Sequence, residues 1–168
     1  MDKKQIVVIR GFMASGKTTA LYNMKSFEEL RDWLFVDFES IRQMFKNNKE
    51  TMVTHANASF FAVLKELMKT GKNIMTQETS EKMLMENIGK EIKKYKYQIK
   101  VVALMASKET TYQRAKKRRG KKGLKPRPRK EIYESHRNRV ETLKKEKFHI
   151  NTNKLSQKNV AKSILELL

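Results

Sequence analysis

A chain of 168 residues, 39% hydrophobic and 33% charged, suits one domain with a buried core and is too short for two comfortable ones. No apolar run approaches the roughly 20 residues of a membrane span, MDKKQIVVIRG lacks the apolar core of a secretory leader, and the absence of cysteine removes disulfides and thiolate metal sites. The 38 Lys and Arg against 18 Asp and Glu give a formal charge of +20; this favours a polyanionic partner, nucleic acid before a membrane surface, over a merely solvated lysine-rich exterior.

In chain order, QIVVI (Gln5 to Ile9) reads as a short buried strand, a β-branched run ended near a glycine. A helix is expected from Lys17 to Phe27 and a second strand in DWLFVD, Asp32 to Asp37, with Trp33 and Phe35 in the core. Glu39 to Lys46 fits a helix with Ile41 and Phe45 on one face. Val53, Ala56, Phe60, Val63, Leu64 and Leu67 recur at helical spacing between Met52 and Thr70. Gly71 stops that helix, and KNIMT follows as the third strand. Ser80 caps a helix running to about Lys94, and Tyr97 to Met105 forms a fourth strand. A basic helix from Lys108 to about Arg119, the broken segment GKKGLKPRP, and a helix from Arg129 to about Lys145 come next. Phe148 to Ile150 is a candidate fifth strand, and Ser156 caps a last helix built on Val160, Ile164, Leu165 and Leu168.

Strands alternating with helices imply right-handed crossovers and a parallel sheet covered on both faces. The expectation is therefore an α/β fold of the P-loop NTPase kind. It is a three-layer sandwich with a parallel five-stranded sheet, and residues 1–168 form one domain with a basic lid at about 108–130. The single shift in composition lies at Arg114 to Lys130, where 11 of 17 residues are basic and none is acidic.

RGFMASGKTTA supplies the first chemistry. Gly11-Phe12-Met13-Ala14-Ser15-Gly16-Lys17-Thr18 fits G-x-x-x-x-G-K-[ST] at every position, between a strand and a helix. Gly11 permits the turn out of the strand, and Gly16 lets the backbone approach a phosphate. The loop N–H groups of Met13 to Thr19 and the helix N-terminus face an anion. Lys17 meets the β/γ-phosphates, and the Thr18 hydroxyl is a ligand for Mg²⁺. Binding of ATP or GTP with Mg²⁺ follows.

A bound triphosphate does not by itself say kinase, hydrolase or switch. FVDFESIRQMF places Asp37, Glu39 and Arg42 at the carboxyl end of a strand and the first helical turn, where ligands of such sheets sit. A carboxylate there can accept the proton of an attacking hydroxyl, and an arginine one turn on can clamp an acceptor phosphate. The competing reading is a helix capped by Asp37 with ordinary surface charges behind it.

These residues resemble the bacteriophage 5′-polynucleotide kinases and their relatives, the zeta-toxin-type kinases. The likeness runs from the phosphate loop through carboxylate-x-x-Arg-Gln after strand two, MVTH, NIMTQET, QRAKKRRG and PRKEIYESHRNR, roughly residues 4 to 145. It implies an ATP-dependent kinase acting on the 5′-hydroxyl of DNA or RNA, in the cytoplasm (the host's, for a phage protein). By it Glu39 falls where these kinases keep an aspartate as general base, with Asp37 the alternative. Arg42 falls at the acceptor phosphate, and Glu78 at an aspartate near the acceptor hydroxyl. Thr54 and Thr79, within the matched segments, join the acceptor-binding set.

The resemblance also gives arginines of the basic helix the role of a lid over the triphosphate. Arg114 and Arg118, four apart, share a face, with Arg119 the alternative to Arg118. GKKGLKPRP then acts as the hinge of that lid, and its charges also suit a nucleic-acid backbone. His55 is a candidate for the acceptor groove, His136 and His149 lack metal-like partners, and Thr152 to Lys154 is the analogue of a purine site. Two rivals stay open: a P-loop kinase of a small acceptor such as a nucleotide or nucleotide-sugar, and a nucleic-acid-binding NTPase used as a switch. Nothing in the length leaves room for a joined phosphatase or ligase domain, and the oligomeric state is open.

Overall fold

A computed structural model describes residues 4–45 and 52–168, so Lys46, the expected end of the second helix, lies outside the described residues. The strands are β1 (Gln5–Gly11), β2 (Leu34–Val36), β3 (Ile74–Gln77), β4 (Gln98–Met105) and β5 (Phe148–Asn151). The helices are α1 (Lys17–Met24), α2 (Phe38–Met44), α3 (Met52–Met68), α4 (Glu81–Lys94), α5 (Lys108–Gly120), α6 (Arg129–Lys144) and α7 (Gln157–Leu165). The strands form one parallel sheet in the order β2-β3-β1-β4-β5, the α/β arrangement expected. A parallel sheet needs a crossover between successive strands, and each helical run supplies one. β1 is central, and Ile6, Val7, Val8 and Ile9 are all fully buried, as a strand covered on both faces requires.

Two compact units share the chain: residues up to 9 with 25–101, and residues 10–24 with 102–168. In the first, β3 pairs with β1 (Ile6 opposite Ile74) and with β2 (Leu34 opposite Ile74). Its core gathers Ile6, Val8, Phe60, Leu64, Ile74 and Leu84, with Phe38 edge-on to Phe60 at 5.2 Å. Ser80 Oγ accepts from Met83 N, the cap expected for α4. Trp33 and Phe35 are half-buried rather than core, because β2 is an edge strand with no neighbour beyond it in the sheet order. The Lys25 ammonium lies 5.8 Å from the Phe35 ring centroid.

In the second unit β4 pairs with β5 from Val102–Phe148 to Met105–Asn151. Helix α1 packs on α7, burying Ala20 and Leu21 on one helix and Val160, Ala161 and Ile164 on the other. Ser107 caps α5 by accepting from Thr110 N, and Ser156 caps α7 by accepting from Asn159 N. Helix α1 ends at Met24, three residues short of the expected Phe27, and the chain turns instead through a single 3₁₀ turn at Glu28–Leu30. Among the described residues no helix is long and apolar enough to cross a membrane.

Candidate active site

The segment Gly11 to Thr18 is a tight loop between β1 and α1. Ala14 (φ 58) and Gly16 (φ 104) both take positive φ. Gly16 lies outside what an L side chain readily adopts, and open space surrounds the place its Cβ would take. Lys17 is 6% exposed, and its ammonium donates to the carbonyls of Gly11 (3.2 Å) and Phe12 (2.7 Å), drawing the loop around its own first residues. Ser15 Oγ is buried and, among the described residues, has no hydrogen-bond partner. A buried hydroxyl left unmatched costs about 1–3 kcal/mol, an expense a folded protein tolerates where a ligand completes the set. Thr18 is exposed at the start of α1, and Met13, Ala14 and Thr19 are partly so.

Gly11 is required by closeness rather than by its backbone angles. A Cβ there would stand 2.4 Å from Ser15 Oγ and 2.8 Å from the carbonyl oxygen of Leu104 in β4. The hydroxyl can rotate away, but a strand carbonyl cannot. Gly11→Ala is expected to lower stability by about 1–3 kcal/mol, the range for overpacking, read from denaturant unfolding. An unchanged midpoint would mean that β4 has room to yield.

The side chain after Gly11 anchors the loop. Phe12 is 1% exposed and stacks on His136 of α6 with ring centroids 3.8 Å apart. His136 Nε2 donates to the carbonyl of Ala106 at 2.9 Å, which fixes the imidazole between Phe12 and the end of β4. Sequence reasoning set His136 aside for want of metal partners; its use is packing. Phe12 occupies a motif position where any residue is allowed, so the motif carried no signal for it.

Arg114 of α5 donates to Thr152 Oγ1 (3.1 Å) and to the Thr152 carbonyl (2.5 Å). Thr152, fully buried after β5, donates through Oγ1 to the Met105 carbonyl at 3.2 Å, with the Ser15 carbonyl 3.5 Å away. Arg114, Thr152 and the loop carbonyl of Ser15 thus form one connected set within the second unit. Asn153 Oδ1 accepts from Ser107 N at 2.7 Å, so residues 152–153 also brace the start of α5. Arg118 is exposed on the face of α5 it shares with Arg114, whereas Arg119 Nε donates to the Lys125 carbonyl at 2.5 Å and closes the following loop.

The other candidate residues gather within the first unit. Asp37 is the N-cap of α2: its carboxylate accepts from Glu39 N (3.0 Å), Ser40 Oγ (2.7 Å) and Gln77 Nε2 (2.7 Å). Glu39 pairs with Arg42 at 2.6 Å and also accepts from Gln43 Nε2 at 2.6 Å. Arg42 and Glu39 are 41% and 37% exposed, so both reach solvent. Glu78 is exposed at φ 64, with its N–H directed at the Ile9 carbonyl (3.4 Å) at the end of β3. Thr79 is buried, and among the described residues its Oγ1 has no hydrogen-bond partner. Thr54 is exposed on α3, and His55 beside it stacks on Phe45 at 5.9 Å. Gln77, absent from the sequence reading, joins β3 to the cap of α2.

A second polar cluster holds α5 against α6. Glu109 accepts from the Tyr133 hydroxyl (2.5 Å), from Gln113 Nε2 (2.7 Å) and from Arg129. The Arg129 guanidinium also lies 5.2 Å from the Tyr112 ring centroid. The Tyr133 hydroxyl, then Gln113 and Arg129, hold the Glu109 carboxyl down at about 2. Because that value lies below the ordinary 4.5, the clamp contributes fully above about pH 4.5 and is lost as pH falls toward about 2. Wild type should therefore melt above Glu109→Gln at pH 6, and the gap should narrow below about pH 4.5 and close only near pH 2. A gap constant with pH would mean that the charge of Glu109 is not what holds the helices.

Among the described residues no group of three or more His, Asp and Glu is arranged to hold a metal ion. The loop, the parallel sheet and the strand order together make this chain a P-loop kinase by class. The model of the zeta toxin family matches residues 2–164, and the chain belongs to that family. Solved structures share the fold at low identity. The tunicamycin resistance protein of Deinococcus radiodurans is 15% identical with a TM-score of 0.69, covering 98% of this chain and 95% of its own. Shikimate kinase from Acinetobacter baumannii, bound to shikimate, is 18% identical at 0.65, covering 98% and 92%. A gluconokinase from Sinorhizobium meliloti is 13% identical at 0.62, covering 99% and 92%. No curated protein matches the chain in sequence.

Proposed function

We propose that this protein transfers the γ-phosphoryl group of ATP or GTP to an alcohol. The observation that carries the proposal is the loop itself. Gly16 at φ 104, the buried and unmatched Ser15 Oγ, and Lys17 with its ammonium drawn into the loop make a cradle suited to a phosphate tail. Thr18 would hold Mg²⁺, which would supply charge neutralisation on the phosphates. Arg114 and Arg118 serve the triphosphate side. Glu39 takes the proton of the incoming hydroxyl, with Asp37 second because capping already engages both its oxygens. Arg42 binds an anionic group of the acceptor, and Thr54, Glu78 and Thr79 are the further acceptor-binding residues. An acceptor anion competes with Glu39 for Arg42, so its arrival frees the carboxylate that must act as base.

For the acceptor, the formal charge of +20 favours the 5′-hydroxyl of a polynucleotide, since a metabolite needs only a few cationic groups. The second reading, a small hydroxylated molecule, is supported by kinases of shikimate and gluconate among the proteins that share the fold. Incubation with γ-labelled ATP and a panel of 5′-hydroxyl oligonucleotides, nucleosides, nucleotide-sugars and small polyols separates them. Label on the oligonucleotides supports the first reading, and label only on small molecules supports the second. ATP consumed with no acceptor labelled would leave the protein an NTPase.

A further inference from the structure

We propose that the α5–α6 connection is a binding surface for the phosphodiester backbone of nucleic acid, sequence-independent and distinct from the residues that handle the acceptor hydroxyl. Lys116, Lys117, Lys121, Lys122 and Lys125 are all exposed, and among the described residues none of them has a carboxylate partner. The carboxylates that flank the connection are already used: Glu109 by Arg129, and Glu131 by Arg127. Five like charges within ten residues therefore repel one another in the folded protein, and a polyanion relieves that repulsion as it displaces condensed counterions from its own backbone.

The surface is built rather than loose. Arg119 Nε donates to the Lys125 carbonyl. The N–H of Leu124 returns to the Arg119 carbonyl at 3.0 Å, with Gly123 at φ 65 making the turn. The Glu109–Arg129–Tyr133 clamp ties the first turn of α5 to the first turn of α6, where the connection ends. The cations are thus held on a fixed frame, which lowers the ordering cost of binding. Nearby aromatic rings are occupied, since Arg129 lies over Tyr112 and Tyr133, and Lys108 over Tyr133. No free ring in this cluster is left to stack a base, so recognition falls to charge alone and carries no base preference.

The consequence for catalysis rests on the polynucleotide reading of the acceptor, but binding can be measured apart from transfer. Anisotropy of a fluorescent 12-nucleotide single strand is followed with the full-length protein and no nucleoside triphosphate. One strand carries a 5′-phosphate, which cannot act as an acceptor, and the other a 5′-hydroxyl. Both strands should bind equally, with log affinity falling against log salt at a slope near −3 to −4 for about five phosphates engaged. Lys121→Glu/Lys122→Glu/Lys125→Glu should weaken binding at least about tenfold and reduce the slope by about 2. The same net change made elsewhere, Lys65→Glu/Lys90→Glu/Lys94→Glu, should leave affinity within about threefold, and both triple variants are checked by thermal melting. Equal losses in the two triple variants would overturn the proposal, because the effect would then be net charge and not this surface. Binding to vesicles of anionic lipid without binding to oligonucleotides would overturn it as well. Oligonucleotide binding without labelling of any 5′-hydroxyl would sustain this surface while removing the polynucleotide acceptor.

Discussion

Lys17→Ala is expected to reduce phosphoryl transfer by at least about 10³-fold, since catalysis of this reaction is mostly positioning and charge stabilisation. The substitution removes the cation aimed at the phosphates and also takes the donor from the carbonyls of Gly11 and Phe12. Loss of the second kind weakens the loop by about 1–3 kcal/mol, so melting and nucleotide affinity should be measured beside the rate. Lys17→Arg separates the two effects. It keeps the charge, but a planar fork does not replace a compact ammonium 2.7 Å from the Phe12 carbonyl. Transfer should stay low in both variants. Transfer at the wild-type rate in Lys17→Ala would remove the loop from the reaction.

Glu39→Gln is the second large effect, with transfer reduced about 10²- to 10⁴-fold, as expected for removal of a general base, and with ATP affinity unchanged. Stability should move little, because the Glu39–Arg42 pair is more than a third exposed and such pairs contribute about 0–1 kcal/mol. Asp37 requires the companion variant Asp37→Asn, because asparagine still caps a helix while it cannot take up a proton in this role. Asp37→Ala should instead cost about 1 kcal/mol through the lost cap. If Asp37→Asn abolishes transfer and Glu39→Gln does not, the base is Asp37. A protein that uses its nucleotide only as a switch would tolerate Glu39→Gln and still bind its partner.

The parts of this protein that were legible in the sequence are those with a local cause. The first strand announces itself by a β-branched run, and Ser80 and Ser156 by a hydroxyl placed ahead of an apolar stripe. The phosphate loop is legible because its glycines, lysine and threonine sit at fixed spacing after a strand. What stayed hidden depends on contacts far apart in the chain. Phe12 and His136 are 124 positions apart in a chain of 168 residues, and their stacking has no trace in local pattern. The same holds for Arg114 and Thr152, separated by 38 positions, and for Gln77 and Asp37, separated by 40. The basic run at 114–130 was legible as charge, but the Glu109–Arg129–Tyr133 clamp that gives it a frame was not. Ser107 was missed as a cap because only Ala106 separates it from the apolar end of the strand at Met105, with no turn signal between.

Phosphorus NMR of one turnover mixture decides the central claim most directly: enzyme, ATP with Mg²⁺, and the acceptor that takes label in the panel. The account predicts that the γ resonance disappears as a phosphomonoester resonance grows in equal amount, with inorganic phosphate near its background level. Growth of inorganic phosphate in place of the ester, at the same rate with or without the acceptor, would contradict it.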